Sequence, residues 1–526
     1  MAETVDSAAG KAQIARAAGL VMALFVVSRA LGLLREMVIS HQFGTSGDLD
    51  AYLAAFRLPD ILFQLVAGGA LASAFIPTFS SYLAHGQARA GRRMASAVIN
   101  VVLLLTVVLA LVAALLAPLL VRTVIAPGFD AGRRALTVDL MRLMLVTPVI
   151  FGVSGLIMGI LNAYQHFLLP ALAPIFYNLG IIAGAVLLAP TEGVYGLALG
   201  VVAGALGHFV VQVPGLVRYD YRWTATLGLR NPGVREVGRL MVPRMLGLAA
   251  VQINFLVNTI LASSLVAGSL SAINYAWLLM LLPQGVFAQA VATAAFPTFS
   301  TQAAKGQRAA MRNTLAATLR AILYLAVPAA VGLILLNQVL VELVFQRGAF
   351  TATSTEMVAW ALALYAFGLP AHSVVEIVVR AFYAMHDTKT PVAVGVAAMA
   401  VNMVLSLAFI ALFQAVGWMP LGGLALSNTL ATTAEMAALL IIIRQRLNGL
   451  EGRQILRSVV RIGLASAAMG ISLAFLSRLL SASSVWLVGV LAIGAGLVVY
   501  VACSLALGAP EPLAVWTLVT RLKQNR

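Results

Sequence analysis

Long apolar stretches alternate with short polar connections along almost the whole chain. These stretches recur from residue 18 to residue 508. A bilayer core about 30 Å thick needs roughly 20 apolar residues for each spanning helix, and only helices or closed barrels satisfy their backbone hydrogen bonds there. Because Leu, Ala and Val dominate the stretches, the pattern favours helices. It predicts an all-α polytopic membrane protein.

The boundaries of the apolar stretches predict fourteen transmembrane helices. Both chain termini then lie on the same side of the membrane. The predicted spans cover residues 15–41, 50–83, 92–123, 135–163, 168–189, 194–216, 236–263, 267–303, 312–346, 355–385, 391–413, 421–444, 457–479 and 484–508.

Composition supports the membrane assignment. Of the 526 residues, 61% are hydrophobic and 10% are charged, and the mean hydropathy is +0.98. A soluble globular protein is about 45–50% apolar and about 25% charged, so a soluble enzyme is excluded. The net charge of +16 is spread over the connections between apolar stretches, which argues against nucleic-acid binding. Cys503 is the only cysteine, which excludes an intramolecular disulfide and a Cys-based metal site.

The distribution of Lys and Arg predicts the orientation. Cytoplasmic loops of membrane proteins retain positive charge, so every second connection should be basic. The connections after spans two, six, eight, ten and twelve and the C-terminal tail carry Lys or Arg, and the connection after span four has only His166. The third and ninth connections run against the pattern, with Arg133, Arg134 and Arg347. The remaining connections are poor in Lys and Arg, so both termini are predicted to be cytoplasmic.

The chain also repeats itself at an offset of 220 residues, which predicts two pseudo-symmetric six-helix lobes plus two extra C-terminal helices. Residues 1–230 form the N-terminal lobe, 231–447 the C-terminal lobe, and 448–526 the extra pair and the tail. Copies of an even number of helices share one orientation, as in transporters whose substrate site lies between parallel repeats. The matches are Phe75–Ser80 with Ala295–Ser300, Gly86-Gln87 with Gly306-Gln307, Gly128 with Gly348, and His166 with His386.

Charged residues inside the first two spans are the strongest functional candidates. These residues are Arg29, Arg35 and Glu36 in span one, and Arg57 and Asp60 beside Pro59 in span two. A charge at the centre of a spanning helix costs about 2.5–3.5 kcal/mol on insertion scales, so it faces a partner or a wet cavity. Local ion pairs are geometrically allowed, since Arg29 and Glu36 share a helix face and Arg57 and Asp60 are three apart. Arginines lining a cavity would instead bind an anion such as phosphate.

Other polar residues inside the spans are weaker candidates. Glu376 and Arg380 are four apart in span ten and predict an internal ion pair. His208 and Glu435 each stand alone, which is more typical of a structural role than of proton transfer. The sequence contains no metal-ligand spacing, no phosphate-binding loop and no catalytic constellation. It therefore predicts a protein that is not an enzyme, with no cofactor, driven by an ion gradient, the membrane potential or downhill substrate flow.

Proline and glycine inside the apolar segments predict broken or bent helices, because proline frees carbonyl groups and permits bending. Alternating access requires hinges of this kind, although single glycines serve close helix packing equally well. The predicted sites are Pro59 with Gly68-Gly69, Pro77, Pro283 with Gly285, Pro297 and Pro370.

Several of these stretches together resemble the MurJ (MviN) family of the multidrug/oligosaccharidyl-lipid/polysaccharide exporter superfamily. They are Ser28–Glu36, Phe43-Gly44, Asp50–Tyr52, Ala55–Asp60, Phe345–Phe350 and Arg380–Pro391. The resemblance covers essentially the whole chain. It implies a flippase that moves lipid II, the undecaprenyl-pyrophosphate-linked peptidoglycan precursor, from the inner to the outer leaflet. It also implies an extra helix pair whose groove holds the lipid tail.

The resemblance implies roles for individual residues. Arg29, Arg35 and Asp50 match positions that the family uses at its central cavity, and Arg57 matches a basic position beside it. Asp50 is interpreted as a gate or pairing residue, and Glu36, Asp60, Glu376 and Arg380 as structural or gating residues. The chain departs from the family at Phe63, Gln64 and Gly68, and at Trp277-Leu278 in place of an Asp-Arg pair.

Arg244, early in span seven, is the candidate to supply the positive charge that the family carries at the position of Leu278. Pro243 would bend the helix there and could turn Arg244 towards the cavity. Alternatively, Arg244 reaches cytoplasmic lipid phosphates, since it is less than two turns from Arg239.

Two alternatives to lipid II transport stay open. The first is export of another polyprenyl-linked glycan or polar lipid, and the second is a non-transporting membrane scaffold. The expected partners are lipid II or a similar anionic lipid-linked substrate, the bilayer and cell-wall synthesis proteins, but not nucleic acid. The expected location is the bacterial cytoplasmic membrane.

Overall fold

The computed structural model describes residues 2–66, 69–480 and 483–511. Within them, the side chains of residues 2–18, 69–73, 243, 244, 246, 247 and 249–251 lie outside the description. The described residues contain helices, turns and loops and no β-strand. The prediction of an all-α membrane protein is confirmed.

Helix packing divides the chain into two compact units. The first unit comprises Met1–Gly268 and Arg347–Phe350. π-helical turns at Val121–Ile125 and Gly184–Leu188 extend α4 and α7. Its helices are α1 (Ala2–Phe43), α2 (Gly47–Val66), α3 (Gly69–Ala84), α4 (Ala88–Leu120), α5 (Ala131–Met144), α6 (Val146–Ala163), α7 (Leu168–Ala183), α8 (Ala189–Glu192), α9 (Val194–Val210), α10 (Val213–Arg218) and α11 (Pro232–Ser263).

The second unit comprises Ser269–Gln346 and Thr351–Arg526. A π-helical turn at Gln284–Gln289 joins its first two helices, and a 47° bend separates α16 from α17. Its helices are α12 (Ser269–Pro283), α13 (Ala290–Ala304), α14 (Arg308–Leu335), α15 (Asn337–Phe345), α16 (Ala352–Ala366), α17 (Leu369–Ala384), α18 (Lys389–Val416), α19 (Leu421–Arg446), α20 (Gly452–Leu479) and α21 (Val485–Ala506).

Each predicted span falls on one helix or on consecutive helices of these units. Among the described residues, ten helices are long and apolar enough to cross a membrane, and the bent pair α16–α17 makes eleven. The predicted spans 15–41, 50–83 and 236–263 are not among them. The count of fourteen spans therefore stays a prediction. The division of the sequence into lobes at residues 230 and 447 also stays a prediction, because the two compact units are defined by contacts between helices and not by the sequence repeat.

Aromatic and aliphatic side chains form the core of the first unit. Phe75 and Phe79 of α3 are fully buried and stack at 5.5 Å between ring centres. They pack in one cluster with Met94 of α4 and Ile160 of α6, and Val237 of α11 joins the same cluster. α11 therefore packs with the helices that precede it, although the repeat assigns its sequence to the second lobe.

In the second unit, α20 and α21 pack against α14. Met469 and Leu473 of α20 contact Tyr324 of α14 and Tyr500 of α21 in one buried cluster. The Tyr500 hydroxyl donates a 2.7 Å hydrogen bond to the Tyr324 carbonyl. Large apolar side chains point outward, such as Leu497, which is 62% exposed. Such a surface is expected where lipid replaces water as the solvent.

The repeated Gly-Gln pair of the sequence forms the same turn in both copies, after α3 and after α13. The backbone N–H of Gln87 donates to the Tyr82 carbonyl at 2.9 Å, and Gln307, 220 residues later, donates to the Gln302 carbonyl at 2.9 Å. Between each pair lies a glycine in the left-handed region, Gly86 or Gly306. Glycine adopts this conformation without steric cost, which explains why both copies carry it.

The matched histidines are not equivalent. The turn after α6 has its positive φ at Gln165, and the turn after α17 has it at His386. The backbone hydrogen bonds agree with this offset of 221, since His166 donates to Leu161 and Asp387 donates to Phe382. His166 therefore corresponds in structure to Asp387, and the match of His166 with His386 is wrong by one residue.

Candidate functional site

The candidate charged residues of α1, Arg29, Arg35 and Glu36, lie in the C-terminal half of that helix. The guanidinium of Arg29 lies over the ring of Phe25, 5.2 Å from the ring centre. The Arg29 side chain is exposed, whereas those of Arg35 and Glu36 are 26% and 23% exposed. A cation over an aromatic face gains a modest attraction and keeps its hydrogen-bond donors available.

Arg35 is held from two sides. Its Nη2 and Nε donate to Glu36 Oε1 at 2.5 and 3.1 Å, and its Nη1 donates to Asn178 Oδ1 of α7 at 3.1 Å. Glu36 therefore pairs with Arg35, not with Arg29 as the shared helix face suggested. A guanidinium has five N–H donors, and these contacts occupy three of them. Among the described residues, Arg35 is thus fixed in place with two donors left for a further acceptor.

The charged residues of α2 contact α11. Arg57 Nε donates to Thr259 Oγ1 at 2.8 Å, and its guanidinium lies 5.4 Å from the ring centre of Phe255. One turn away, Gln252 Nε2 donates to Asp60 Oδ2 at 3.2 Å. Two polar contacts thus join α2 to α11 within the first unit.

Asp50 lies in the first turn of α2, and its side chain is 1% exposed. Its Oδ2 accepts a 2.7 Å hydrogen bond from the backbone N–H of Gly268. Gly268 has a φ of +89°, and a Cβ there would collide with the Thr45 carbonyl. Asp50 thus fixes the segment that follows α11 against the start of α2.

The same end of the first unit holds a second backbone contact. Residues 347–350 pack on the end of α1, where Ala349 N donates to the His41 carbonyl at 2.8 Å. Gly348 has a φ of +59°, and a Cβ on it would meet the His41 carbonyl oxygen. Gly44 has a φ of +56°, and a Cβ on it would meet the Ala349 carbonyl oxygen, so residues from three family-like stretches meet in one compact contact. We call it the α1-end cluster (His41, Gly44, Asp50, Gly268, Gly348 and Ala349).

Two of the departures from the family motif, Phe63 and Trp277, pack against aromatic rings. Phe63 packs on Phe151 with 5.0 Å between ring centres. In the second unit, Trp277 of α12 packs edge-to-face on Tyr365 at 5.3 Å and on His372 at 5.5 Å. Trp277 thus belongs to an aromatic cluster with Tyr365 and His372.

The remaining predicted residues of the second unit lie on α17. Arg380 forms an ion pair with Glu376 one turn earlier and also donates to its carbonyl at 3.1 Å. One turn before Glu376, His372 Nε2 lies 3.0 Å from Asn428 Oδ1 of α19. The side chain of Arg244 lies outside the described residues, so its predicted role stays a prediction.

Two isolated polar residues differ in their surroundings. His208 lies in a buried network with Ser154 and Gln212, in which Ser154 Oγ is 2.7 Å from His208 Nδ1. This agrees with a structural role. Glu435 of α19 is half-buried, and Gly395 of α18 faces its carboxylate. Within the described residues, no three His, Cys, Asp or Glu side chains are grouped to hold a metal ion.

Sequence reasoning found the charged residues but missed their neutral partners. Asn178, Gln252 and Thr259 hold Arg35, Asp60 and Arg57 in place. The available signal was the presence of polar residues inside an apolar span: Asn178 in span five, and Gln252 and Thr259 in span seven.

These observations define a class first: a multi-pass helical membrane protein with charged side chains held inside its helices. The solved structure of an inward-facing multidrug resistance MATE family transporter of the MOP superfamily has the same fold, with a TM-score of 0.66 at 13% identity over 82% of this chain and 98% of that one. A structure of lipid II flippase MurJ in an inward closed conformation matches with a TM-score of 0.77 at 24% identity over 92% of this chain and 98% of that one.

The sequence comparisons narrow the class to one family. The family model for lipid II flippase MurJ matches residues 39–495. A relative from Burkholderia cenocepacia, named lipid II flippase MurJ, is 33% identical over 433 residues, which are 81% of this chain and 82% of the relative. A relative from Rhizobium tropici, named probable lipid II flippase MurJ, is 31% identical over 86% of this chain and 85% of its own. The chain belongs to the MurJ family of bacterial membrane transporters.

Proposed function

We propose that this protein is a lipid II flippase of the bacterial cytoplasmic membrane. The family membership over residues 39–495 carries this proposal. The cargo would consist of a pyrophosphate-linked headgroup and a polyprenyl tail. Its transport therefore requires cationic donors for the anionic headgroup and an apolar path for the hydrocarbon tail. The first unit offers the cationic donors, and the second unit offers the apolar path.

Arg29, Arg35 and Arg57 would contact the anionic headgroup. On the same helices, the carboxylate of Glu36 pairs with Arg35 and that of Asp60 accepts a hydrogen bond from Gln252, whereas the guanidinium of Arg29 is exposed. Arg35 is pre-positioned by Glu36 and Asn178 and keeps two N–H donors for a phosphate oxygen. Hydrogen bonds between arginine and phosphate are charge-assisted, and pre-positioning lowers the conformational entropy lost on binding.

The tail would lie in a groove of the second unit between α14, α20 and α21. This groove, which we call the apolar groove, has a volume of about 700 Å³. Carbon atoms dominate its surface, and its wall carries no charged side chain among the described residues. Its lining includes Phe287, Tyr324, Pro328, Met469, Leu473 and Tyr500. Such a surface suits an uncharged hydrocarbon chain, and it involves the extra helices that the family resemblance assigns to the tail.

The α1-end cluster would serve as the gate on the outer side. Asp50 and Gly348 hold the end of α1, the start of α2 and residues 347–350 together through backbone contacts. Such contacts form or break as a unit, because a packed interface has discrete arrangements. With both termini in the cytoplasm, this cluster faces the outer side. Opening it would release the headgroup there, and closing it would expose the arginines to the inner side.

The energy would come from an ion gradient or the membrane potential. The described helices carry intramembrane charges on α1, α2 and α17, and moving one elementary charge across the membrane is worth about 2.3 kcal/mol per 100 mV.

A second candidate cargo is another polyprenyl-linked glycan or polar lipid. The observation that favours it is the aromatic cluster of Trp277, Tyr365 and His372 at a position where the family carries charge. Aromatic faces stack on sugar rings, whereas they offer no charge to a phosphate.

Complementation of a bacterial strain depleted of its own MurJ tests the proposal and separates the candidates. We expect the wild-type chain to restore growth and cell shape. Failure by protein that is present in the membrane at normal levels would favour the second cargo. Growth restored equally by a variant with Arg29, Arg35 and Arg57 all changed to Gln would instead show that these arginines are not needed for transport.

A further inference from the structure

The second unit contains another groove that the proposed function does not use. It lies between α14, α17, α19 and α20, and its volume is about 1110 Å³. Most of its wall is apolar, with Leu319 and Leu323 on α14 and Met436 and Leu440 on α19. We call it the arginine groove, because three arginines line one end of it.

The charged end has an excess of positive charge. Arg312 lies near the start of α14, Arg444 in the last turn of α19 and Arg453 in the first turn of α20, and all three line the groove beside the single carboxylate of Glu451. Glu451 Oε1 pairs with Arg312 Nε at 3.0 Å, and the Asn448 carbonyl accepts from Arg312 Nη1 at 3.3 Å. Arg312 is thus largely neutralised and fixed by the protein itself.

Arg444 and Arg453 are placed differently. Both side chains are exposed, and neither is joined to a carboxylate among the described residues. Two guanidinium groups at the mouth of one apolar groove repel each other, and this repulsion is relieved when an anion lies between them. Their planar donor groups suit the oxygens of a phosphodiester.

The groove has the depth of one membrane leaflet. From Arg312 to Val327 it follows α14 for about 22 Å, at 1.5 Å per residue. Half of a bilayer, including its headgroup region, is about 20–22 Å thick. The inner end is bordered by Phe367 and Pro370, at the 47° bend between α16 and α17. With the arginines at headgroup depth, the apolar wall would therefore end near the middle of the membrane.

The contrast with the apolar groove identifies the occupant. The wall of the apolar groove has no charged residue among those described, whereas the arginine groove joins a cationic mouth to an apolar wall one leaflet deep. We propose that the arginine groove binds one anionic phospholipid from the leaflet at which α14 begins. The headgroup phosphate lies between Arg444 and Arg453, and the acyl chains run along α14 and α19 towards the bend. This site is independent of the cargo, so it stands or falls separately from the flippase function.

Binding of defined lipids to the purified protein tests this proposal without any transport. The full chain is delipidated in a neutral detergent and titrated with phosphatidylglycerol or with phosphatidylcholine, and bound lipid is counted by native mass spectrometry. We expect tighter binding of phosphatidylglycerol. Each arginine near an anionic lipid contributes about 1 kcal/mol, or about fivefold in affinity. The double variant Arg444→Gln with Arg453→Gln should therefore lose at least about fivefold in affinity for phosphatidylglycerol and keep its affinity for phosphatidylcholine.

A matched control removes the same charge elsewhere. Arg89 and Arg93 lie at the start of α4, which the sequence repeat pairs with α14, and both side chains are exposed. Arg89→Gln with Arg93→Gln should leave the preference unchanged. The proposal is overturned if the wild type binds both lipids equally, or if the two double variants lose the same affinity. It is also overturned if inorganic phosphate alone displaces the lipid at millimolar concentration, or if an uncharged polyprenol competes as well as phosphatidylglycerol does.

Discussion

Arg35 is the residue at which the structure changes the interpretation of the sequence most. The sequence leaves open whether the arginines of span one are structural or bind an anion. The structure gives Arg35 both features, because Glu36 and Asn178 hold it while two of its five donors are left over. A single substitution cannot separate the two roles, since removing the arginine also leaves Glu36 without its partner.

A double substitution separates these roles. Arg35→Gln should lower transport at least about tenfold, the typical value of one charge-assisted hydrogen bond. In Arg35→Gln with Glu36→Gln, no carboxylate is left unpaired, so protein level and thermal stability should recover. Transport by this double variant should stay low if Arg35 contacts the cargo. Recovery of transport to the wild-type rate, measured at equal amounts of protein, would show that the pair is only structural.

Asp387 gives a prediction on stability. The Thr390 hydroxyl and backbone N–H donate to its carboxylate at 2.6 and 3.0 Å, and Arg446 pairs with it at 2.6 Å. These contacts favour the ionised form and lower the pKa of Asp387 below its usual value. A carboxylate with a lowered pKa stabilises the fold above its unfolded pKa and loses that contribution only as the pH falls through the lowered value.

Asp387→Asn should therefore lower the apparent Tm by about 1–2 °C at neutral pH. The difference from wild type should persist down to about pH 4.5, since the carboxylate is still ionised there. Scanning fluorimetry of the detergent-purified variants measures it, with Asp220→Asn as the control, because Asp220 is itself exposed and its described ion pairs, with Arg92 and Arg222, are longer, at 3.4 and 3.2 Å. An unchanged Tm, or a difference that vanishes between pH 7 and pH 5, would contradict the assignment.

Helices and turns show how far the sequence predicts the elements. Proline and glycine mark the bend before α17 near Pro370 and the π-helical turn after Pro283. Pro77 and Pro297 lie inside α3 and α13, which run on past them. The difference is physical, because a proline frees a carbonyl but the surrounding helices decide whether the freed group bends the helix. Gly68 lies outside the described residues, so the break expected there stays a prediction.

The α1-end cluster gives a prediction at the scale of elements. Gly348→Ala adds a Cβ at a φ of +59°, against the His41 carbonyl. If the cluster is the outer gate, the variant should be present at normal levels and transport should fall. Gly417→Ala is the matched control, because Gly417 has a φ of +79° and its Cβ would enter open space. Equal loss in both variants would assign the effect to backbone strain and not to the contact.

For the whole molecule, the sequence predicted the all-α membrane fold and the family, whereas the packing of its helices was not predictable. The repeat places the sequence of α11 in the second lobe, yet Val237, Gln252 and Thr259 of α11 contact helices of the first unit. Long-range partners such as Asn178 for Arg35 follow from packing, and the apolar periodicity of a spanning helix carries no information about its neighbour. The charged residues were predictable because each is costly in lipid and stands out in an apolar segment.

The orientation is a prediction for the whole molecule. After replacement of Cys503, single cysteines at Thr191 or Val266 should react with an impermeant maleimide in whole cells. Cysteines at Gln87 or Gln307 should react only after the membrane is permeabilised. Gln87 and Gln307 occupy corresponding turns of the repeat, so they should behave alike. If the cysteine at position 87 is labelled in intact cells and the cysteine at position 266 is protected, the orientation is the opposite of the predicted one.

Flipping of lipid II by the purified protein is the most direct test of the proposed function. The protein is reconstituted into vesicles containing fluorescent lipid II, with an imposed membrane potential or ion gradient, and an impermeant reductant is added outside. Fluorescence from the inner leaflet should decay faster than in protein-free vesicles. The double variant Arg35→Gln with Glu36→Gln should lose most of this increase in the decay rate. Decay at the protein-free rate by folded wild-type protein, under every gradient applied, would contradict the function proposed for this chain.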